Sequence, residues 1–254
     1  MGLKVGCVCP TYKRPELLGR AIYCFLQQSW EDAYLVVLDD AGQYEPQTHE
    51  RWCLVSTDKR YNSLGGKRQA GIEMLPDDCD GYLCWDDDDV YWPHAVAAVA
   101  ETLSRSSWAQ CRLVYETVQR DIPTVGRVPA FGREPSGGDP AYWGYGGSWA
   151  YRLDSLREVG GYDDDPQRSN TDDYDLGRKF LARYGPSADS TAKAEPWYWY
   201  NRTPGVNHVN DEGADFWAIR GKFPLSGVRR PRIGWNGPNL YEWNVLADIQ
   251  PRPF

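Results

Sequence analysis

"LKVGCVCPTYKRPELLGRAIYCFLQQ" spans residues 3–28. Its opening, LKVGCVC (3–9), reads as a buried strand. From Arg14 to Gln28 the residues Leu17, Leu18, Ala21, Ile22, Phe25 and Leu26 fall on one stripe at helical spacing. Pro15 suits the first helical turn, where its missing N–H costs nothing. A strand, a short polar turn and an amphipathic helix make one unit of an α/β domain. The pattern then repeats. YLVVL (34–38) and WCLVS (52–56) read as strands, GGKRQAGIEML (65–75) as a short helix and GYLCW (81–85) as a fourth strand. A helix is expected over about 93–104. Such alternation argues for a parallel, doubly wound sheet, and in those sheets ligands bind beyond the carboxyl ends of the strands.

Polar clusters stand at those ends: PTYKRP after the first strand, DDAG after the second and DDDD, Asp86 to Asp89, after the fourth. Four adjacent carboxylates repel one another, so directly behind Leu83, Cys84 and Trp85 they call for a counter-charge. Two carboxylates plus substrate phosphates are a usual site for Mg²⁺ or Mn²⁺. A solvated acidic turn is the bland alternative, disfavoured by the buried strand that leads into it. An EF-hand is excluded because its sixth and twelfth positions hold Tyr91 and Ala97. In SNTDDYDLGRKF, Asp172 and Asp173 precede a helix expected over 175–185, which Gly185 ends. Carboxylates there cap free N–H groups, or serve as a general base.

The chain has 254 residues, 28 Lys plus Arg, 36 Asp plus Glu and a net charge of −8, a balance that argues against a nucleic-acid backbone as partner. Residues 220–254 carry six basic residues against two acids and read as a basic extension, residues 219–254, that packs on or covers the site of a domain over 1–218. Residues 121–146, with six Gly and four Pro, are expected to be a long loop, and GGSWAYRL (146–153) a returning strand. Seven cysteines without a CxxC spacing fit reduced thiols and a cytoplasmic location. No apolar run approaches membrane-spanning length. The 12 Trp and 17 Tyr suit sugar sites, although packing is the ordinary use of such residues.

VCPTYKRPELLGRAI, LVVLDDAG, GGKRQAGI, LCWDDDDVYWP, VGGYDDD and TDDYDLGRKF, in this order, resemble the inverting family-2 glycosyltransferases of GT-A fold. The resemblance covers roughly residues 3–210, and YWYNRTPGVNH is similar to the stretch that often follows. It implies a Rossmann-like, mostly parallel mixed sheet flanked by helices, and metal-dependent transfer of a sugar from a nucleotide sugar, UDP favoured, to an acceptor hydroxyl with inversion. The acceptor stays open among a glycan, a lipid-linked sugar, a small molecule, a protein and a modified nucleobase. The oligomeric state is not readable. By resemblance Pro10, Thr11, Tyr12 and Arg14 line the nucleotide pocket, Asp39 or Asp40 bonds the base, and Lys67 and Arg68 lie near the nucleotide or diphosphate. Asp86, Asp87 and Asp88 form the DxD-like run, with Asp88 and Asp86 as metal ligands, and His208 as a further ligand. Asp173 matches the catalytic acid of the family's ED motif. Because its partner is Asp172 rather than Glu, either of the two remains a candidate base. A carbohydrate-binding protein suggested by PWYWY (196–200), a donor-binding pseudo-enzyme and a sugar nucleotidyltransferase are the competing readings.

Overall fold

The opening unit is present as β1 (Val5–Thr11) and α1 (Pro15–Leu26) in the computed structural model, which describes residues 2–117, 123–128, 131, 145–168, 171–191 and 195–200. The chain continues through β2 (Ala33–Asp39), β3 (Gln47–Thr48), β4 (Trp52–Ser56), α2 (Leu64–Glu73), β5 (Gly81–Cys84), β6 (Val90–Tyr91) and α3 (Ala95–Leu103). Then follow β7 (Trp108–Gln110), β8 (Leu113–Thr117), β9 (Pro123–Arg127), β10 (Trp149–Arg152), α4 (Leu153–Glu158), α5 (Asp172–Tyr184), β11 (Ala188–Asp189) and β12 (Tyr198–Tyr200). His208 and the expected basic extension lie outside the described residues.

An eight-stranded sheet has the order β11-β7-β10-β5-β1-β2-β4-β3. β5, β1, β2 and β4 run parallel and β11 runs parallel to β7. β10 is antiparallel to both neighbours, and the short edge strand β3 is antiparallel to β4. The sheet is therefore mixed rather than wholly parallel. Its internal exception is the returning strand β10, which a 3₁₀ turn at Gly146–Ser148 leads in, and its edge exception is β3. Alternate residues of the central strands face opposite layers. Val5, Cys7, Cys9, Leu35 and Val37 pack with Leu18, Ile22 and Phe25 of α1 and Val96 and Val99 of α3. Val8, Val36, Tyr82 and Cys84 pack with Leu153 and Leu156 of α4 and Leu176 and Phe180 of α5. All seven cysteines are free thiols.

A second sheet has the order β6-β12-β8-β9. Its β8–β9 hairpin corrects the expectation of one long loop over 121–146. Pro123 takes the first place in its strand, where a missing N–H is tolerated, and β8 supplies the hydrogen-bond ladder that composition alone does not reveal. The helix expected at 175–185 starts earlier, so Asp172 and Asp173 lie in its first turn, where the helix dipole favours carboxylates. Gly185, at φ 79°, ends it as expected. Among the described residues no helix is long and apolar enough to cross a membrane.

α2 has no apolar stripe; its buried residues are Gly65, Lys67, Arg68 and Gly71. Ser63 caps it, its Oγ accepting from Gly66 N–H at 2.9 Å. Each helical glycine costs about 1 kcal/mol of propensity. The return is close approach: a Cβ at Gly65 would lie 2.5 Å from the carbonyl oxygen of Asp163, and one at Gly71 would overlap Val8 of β1. These contacts press the cationic face of α2 onto the strand ends. Gly71→Ala is expected to lower stability by about 1–3 kcal/mol, the usual cost of overpacking, as read from urea unfolding. An unchanged midpoint would mean that α2 does not sit this tightly on β1.

Candidate active site

The loop after β1, the loop after β2, the start of α2, the acid run after β5 and the start of α5 surround one cleft of about 460 Å³. Of the expected site residues, Pro10, Thr11, Tyr12, Arg14, Asp40, Lys67, Arg68, Asp86, Asp87, Asp88, Asp172 and Asp173 all border it. Asp39 does not. It is fully buried and accepts from the N–H groups of Ala41 and Gln43 and from the Ser56 hydroxyl, which fixes the loop after β2. Of the pair considered for the nucleotide base, Asp40 is the one that borders the cleft.

The acid run divides by alternation. Asp87 and Asp89 are 0% and 1% exposed. All four border the cleft, but only the side chains of Asp86 and Asp88 keep appreciable exposed surface, 21% and 18%. Asp87 accepts from the Thr11 hydroxyl at 2.7 Å and pairs with Arg14 at 2.6 Å. Asp89 accepts from the Tyr198 hydroxyl. The two buried acids thus tie the run to β1 and β12. The Arg14 guanidinium also reaches Asp88 at 3.1 Å, and Arg20 donates to the Asp88 carbonyl at 2.6 Å. Burial pushes the Asp87 carboxyl up to about 7, against the pull of Arg14, and raises Asp88 as well.

Arg68 holds the other half. Its side chain is 3% exposed, and its guanidinium donates to Asp86 at 2.8 Å, Asp172 at 2.6 Å and Asp173 at 2.7 Å. The resemblance placed this residue near the nucleotide or diphosphate; in the structure its guanidinium donates to these three carboxylates. Burial alone would lower its pKa, but Asp173, Asp172 and Asp86 together raise it well above the ordinary value. Burial pushes Asp172 up to about 7 and raises Asp173, in each case against the pull of Arg68. The pair does not act as a helix cap: the cap residue Thr171 makes no side-chain cap bond, and both carboxylates turn onto Arg68. Asp172 is nearly buried, its side chain 6% exposed, whereas Asp173 keeps 23%. The Tyr162 hydroxyl donates to Asp173 at 3.2 Å.

At the other end of the cleft Lys67 is buried between the Thr11 carbonyl and Asp40, both at 2.5 Å. Burial lowers its pKa while Asp40 opposes the fall. Arg60 also donates to Asp40, at 2.8 Å, and its guanidinium lies 3.8 Å from the Tyr12 ring centroid. Arg60 stands in no recognised motif, and Tyr162 and Tyr200 stand in the sequence only as members of VGGYDDD and PWYWY, with no role of their own. Lys13, in the same loop as Tyr12, has φ 54°, the one positive value at a non-glycine residue among those described. Strain of this kind concentrates at binding sites.

Asp86 and Asp88 fit a hard divalent cation. They are two carboxylates facing one cleft, with room for phosphate oxygens and water to complete the shell. Among the described residues no group of three His, Cys, Asp or Glu is arranged to hold a metal.

No protein-family model matches the chain. Over 111 residues it is 29% identical to the succinoglycan biosynthesis protein ExoW of Rhizobium meliloti (strain 1021), a match covering 40% of this chain and 34% of ExoW. Among solved structures, S. aureus TarS 1-349 in complex with UDP-GlcNAc superposes with TM-score 0.59 at 14% identity, over 80% of this chain and 60% of TarS 1-349. The mannosyltransferase PcManGT from Pyrobaculum calidifontis, in complex with GDP-Man and Mn²⁺, gives TM-score 0.51 at 15% identity, over 87% of this chain and 61% of that one. The chain therefore spans about a third of ExoW and about three-fifths of these structures. The fold, a mostly parallel mixed sheet with flanking helices, is GT-A-like and matches these neighbours.

Arg68→Met leaves Asp172 and Asp173 buried together without a cation. A loss of about 3–5 kcal/mol is expected at pH 8, the cost of breaking a buried pair. The sign of its pH dependence follows from Asp172. Its folded pKa of about 7 lies above the ordinary 3.8, so the folded protein keeps a proton that the unfolded chain has lost. Stability therefore falls as pH rises between these values, and more steeply in the variant. Urea unfolding at pH 6 and pH 8 checks this; a variant deficit that is equal at both pH values would contradict it.

Proposed function

We propose that this protein is a glycosyltransferase that moves a sugar from a nucleotide-sugar donor, UDP favoured, to an acceptor hydroxyl with inversion, using Mn²⁺ or Mg²⁺. One observation carries the reading. In a single cleft, Arg68 sets two cleft-facing acids of different roles side by side: Asp86 of the DxD-like run, and Asp173 at the start of α5. Support comes from the GT-A-like fold and from neighbours seen with UDP-GlcNAc, and with GDP-Man and Mn²⁺.

Donor binding falls to the β1, β2 and α2 loops. Pro10, Thr11 and Tyr12 take the nucleoside side and Asp40 the base, its place set by Lys67. Asp86 and Asp88, with His208 as a further candidate ligand, would hold the cation, which when bound offsets charge on the leaving diphosphate. Asp173 is the base. It is the more exposed of its pair, and burial raises its proton affinity toward the range in which a general base works best. Asp173 takes the acceptor's hydroxyl proton as that oxygen bonds to the anomeric carbon from the face opposite the diphosphate. The bond from the anomeric carbon to the phosphate oxygen breaks, and the diphosphate leaves with the electron pair. Asp172 stays behind as the inner partner of Arg68.

A thermal-shift screen of nucleoside diphosphates and nucleotide sugars, with and without Mn²⁺, tests the reading, because a ligand that binds the folded state raises the midpoint. No shift with any nucleotide would contradict it. Asp88→Ala is expected to abolish Mn²⁺-dependent nucleotide binding while the protein still folds, since removing one of several crowded carboxylates relieves repulsion. Calorimetry showing wild-type affinity would remove Asp88 from the metal site, and the same titration on His208→Ala tests the third ligand. Asp173→Asn is expected to lower single-turnover transfer by roughly 10²–10⁴-fold, the range for losing a general base, with donor binding retained. A larger loss in Asp172→Asn would move the base to that residue. Near-normal rates in both variants would leave the pair a purely structural feature.

A further inference from the structure

We propose that the acceptor is itself a sugar, and that Tyr200, backed by Tyr145, is the surface on which its pyranose ring lies while a ring hydroxyl reaches Asp173. The proposal rests on the glycosyl-transfer reading above. Most of the cleft is built from strand-end loops and helix starts of the large sheet. Tyr200 is the exception, since it borders the cleft from the last position of β12 in the second sheet. The Tyr145 ring stacks on it, with centroids 4.3 Å apart and planes at 21°.

Tyr145 also joins this surface to the base. The next residue, Gly146, lies so close to Asp173 that a Cβ there would overlap the carboxylate. Gly146, Asp173 and Tyr200 border the same cleft, so an acceptor that reaches Asp173 from the cleft shares that space with Tyr200. The pair is held from behind. Tyr198 lies 6.3 Å from Tyr145, Tyr91 lies 5.6 Å from Tyr198, and Trp85 stacks on Tyr91 at 3.8 Å. Trp85, Tyr91 and Tyr198 are fully buried, and the Tyr198 hydroxyl is fixed by Asp89. Gly147 lets the backbone into this stack, where a Cβ would lie 2.7 Å from the Tyr91 hydroxyl. The result is a ring surface continuous with the core, so little ordering cost remains when a ligand settles on it.

The chemistry selects a sugar. A pyranose has one face of C–H groups and a rim of hydroxyls, and tyrosine offers the matching combination of apolar ring and polar tip. A simple diol or a Ser or Thr side chain has no ring face to lay down. Stacking on the donor's nucleobase is the competing use of Tyr200. That role has other candidates in Tyr12 and Tyr61, which border the cleft from the loops after β1 and β4.

The test uses the full chain with Mn²⁺ and the nucleotide sugar that the thermal-shift screen selects. Methyl glycopyranosides are compared as acceptors with 1,2-propanediol and a Ser/Thr peptide. At least one glycoside is expected to accept sugar with a saturable KM, while the diol and the peptide do not. Tyr200→Ala is expected to raise that KM roughly tenfold, the equivalent of about 1.4 kcal/mol, with donor Kd unchanged by calorimetry, and Tyr200→Trp to restore it. Transfer to the diol or peptide as efficient as to the glycosides would overturn the proposal, and so would a loss of donor affinity in Tyr200→Ala. A Trp variant no better than Ala would also overturn it. If donor binds with Mn²⁺ but no glycoside accepts, this inference falls and the glycosyl-transfer reading stands. If no nucleotide sugar binds, both fall, and the donor measurement shows it.

Discussion

One buried guanidinium decides the arrangement of this cleft. Arg68 neutralises Asp86 after β5 and Asp172 and Asp173 at the start of α5, three carboxylates that would otherwise repel one another. Burying charge is costly unless it is paired and hydrogen-bonded, so the acids and the arginine hold one another in place. The two halves of the proposed chemistry, donor and base, thus share a single positive group. The rest of the local structure serves that contact. Gly65 and Gly71 let α2 approach α5 and β1 closely, and Ser63 fixes the helix start by capping it and donating to Asp164 at 2.7 Å. A second cation, Arg14, plays the corresponding part for Asp87 and Asp88.

This frame explains how a run of four acids is tolerated behind a buried strand. Asp87 and Asp89 are buried at the cleft wall and act as tethers, to Thr11 and Arg14 and to Tyr198, while Asp86 and Asp88 keep exposed surface there. The tethers connect both sheets to the same loop. A ligand at Asp86 and Asp88 therefore meets a surface whose position is set by β1 on one side and β12 on the other, the kind of preorganisation on which transition-state stabilisation depends.

Much of the large sheet was legible in sequence, because buried parallel strands are short apolar runs and their polar ends are abrupt: YLVVL turns to DD, and GYLCW to DDDD. The convergence of those ends follows from the topology of such sheets. What pairs across the chain was not legible. Arg68 and Asp172 are 104 residues apart, and no local pattern says that a helical arginine turns inward to meet them. Asp39 and Asp40 look alike as neighbours, yet one is consumed by its own loop and the other borders the cleft. The β8–β9 hairpin was hidden by glycine and proline, whose count signals a loop but cannot show that a neighbouring strand supplies a ladder. Tyr200 was visible only as part of an aromatic run. Its place at the edge of the cleft depends on β12 pairing with β6 and β8.

The most direct test of the account is a crystal structure of the protein with UDP and Mn²⁺, using anomalous scattering to locate the metal. The account predicts an Mn²⁺ peak bound by the Asp88 carboxylate, with Asp86 at the ion or its waters, the diphosphate beside it and the uracil near Tyr12 and Asp40. Arg68 should still be on Asp172 and Asp173. An Mn²⁺ peak away from the acid run, or a diphosphate bound by Arg68 with Asp173 released from it, would contradict it.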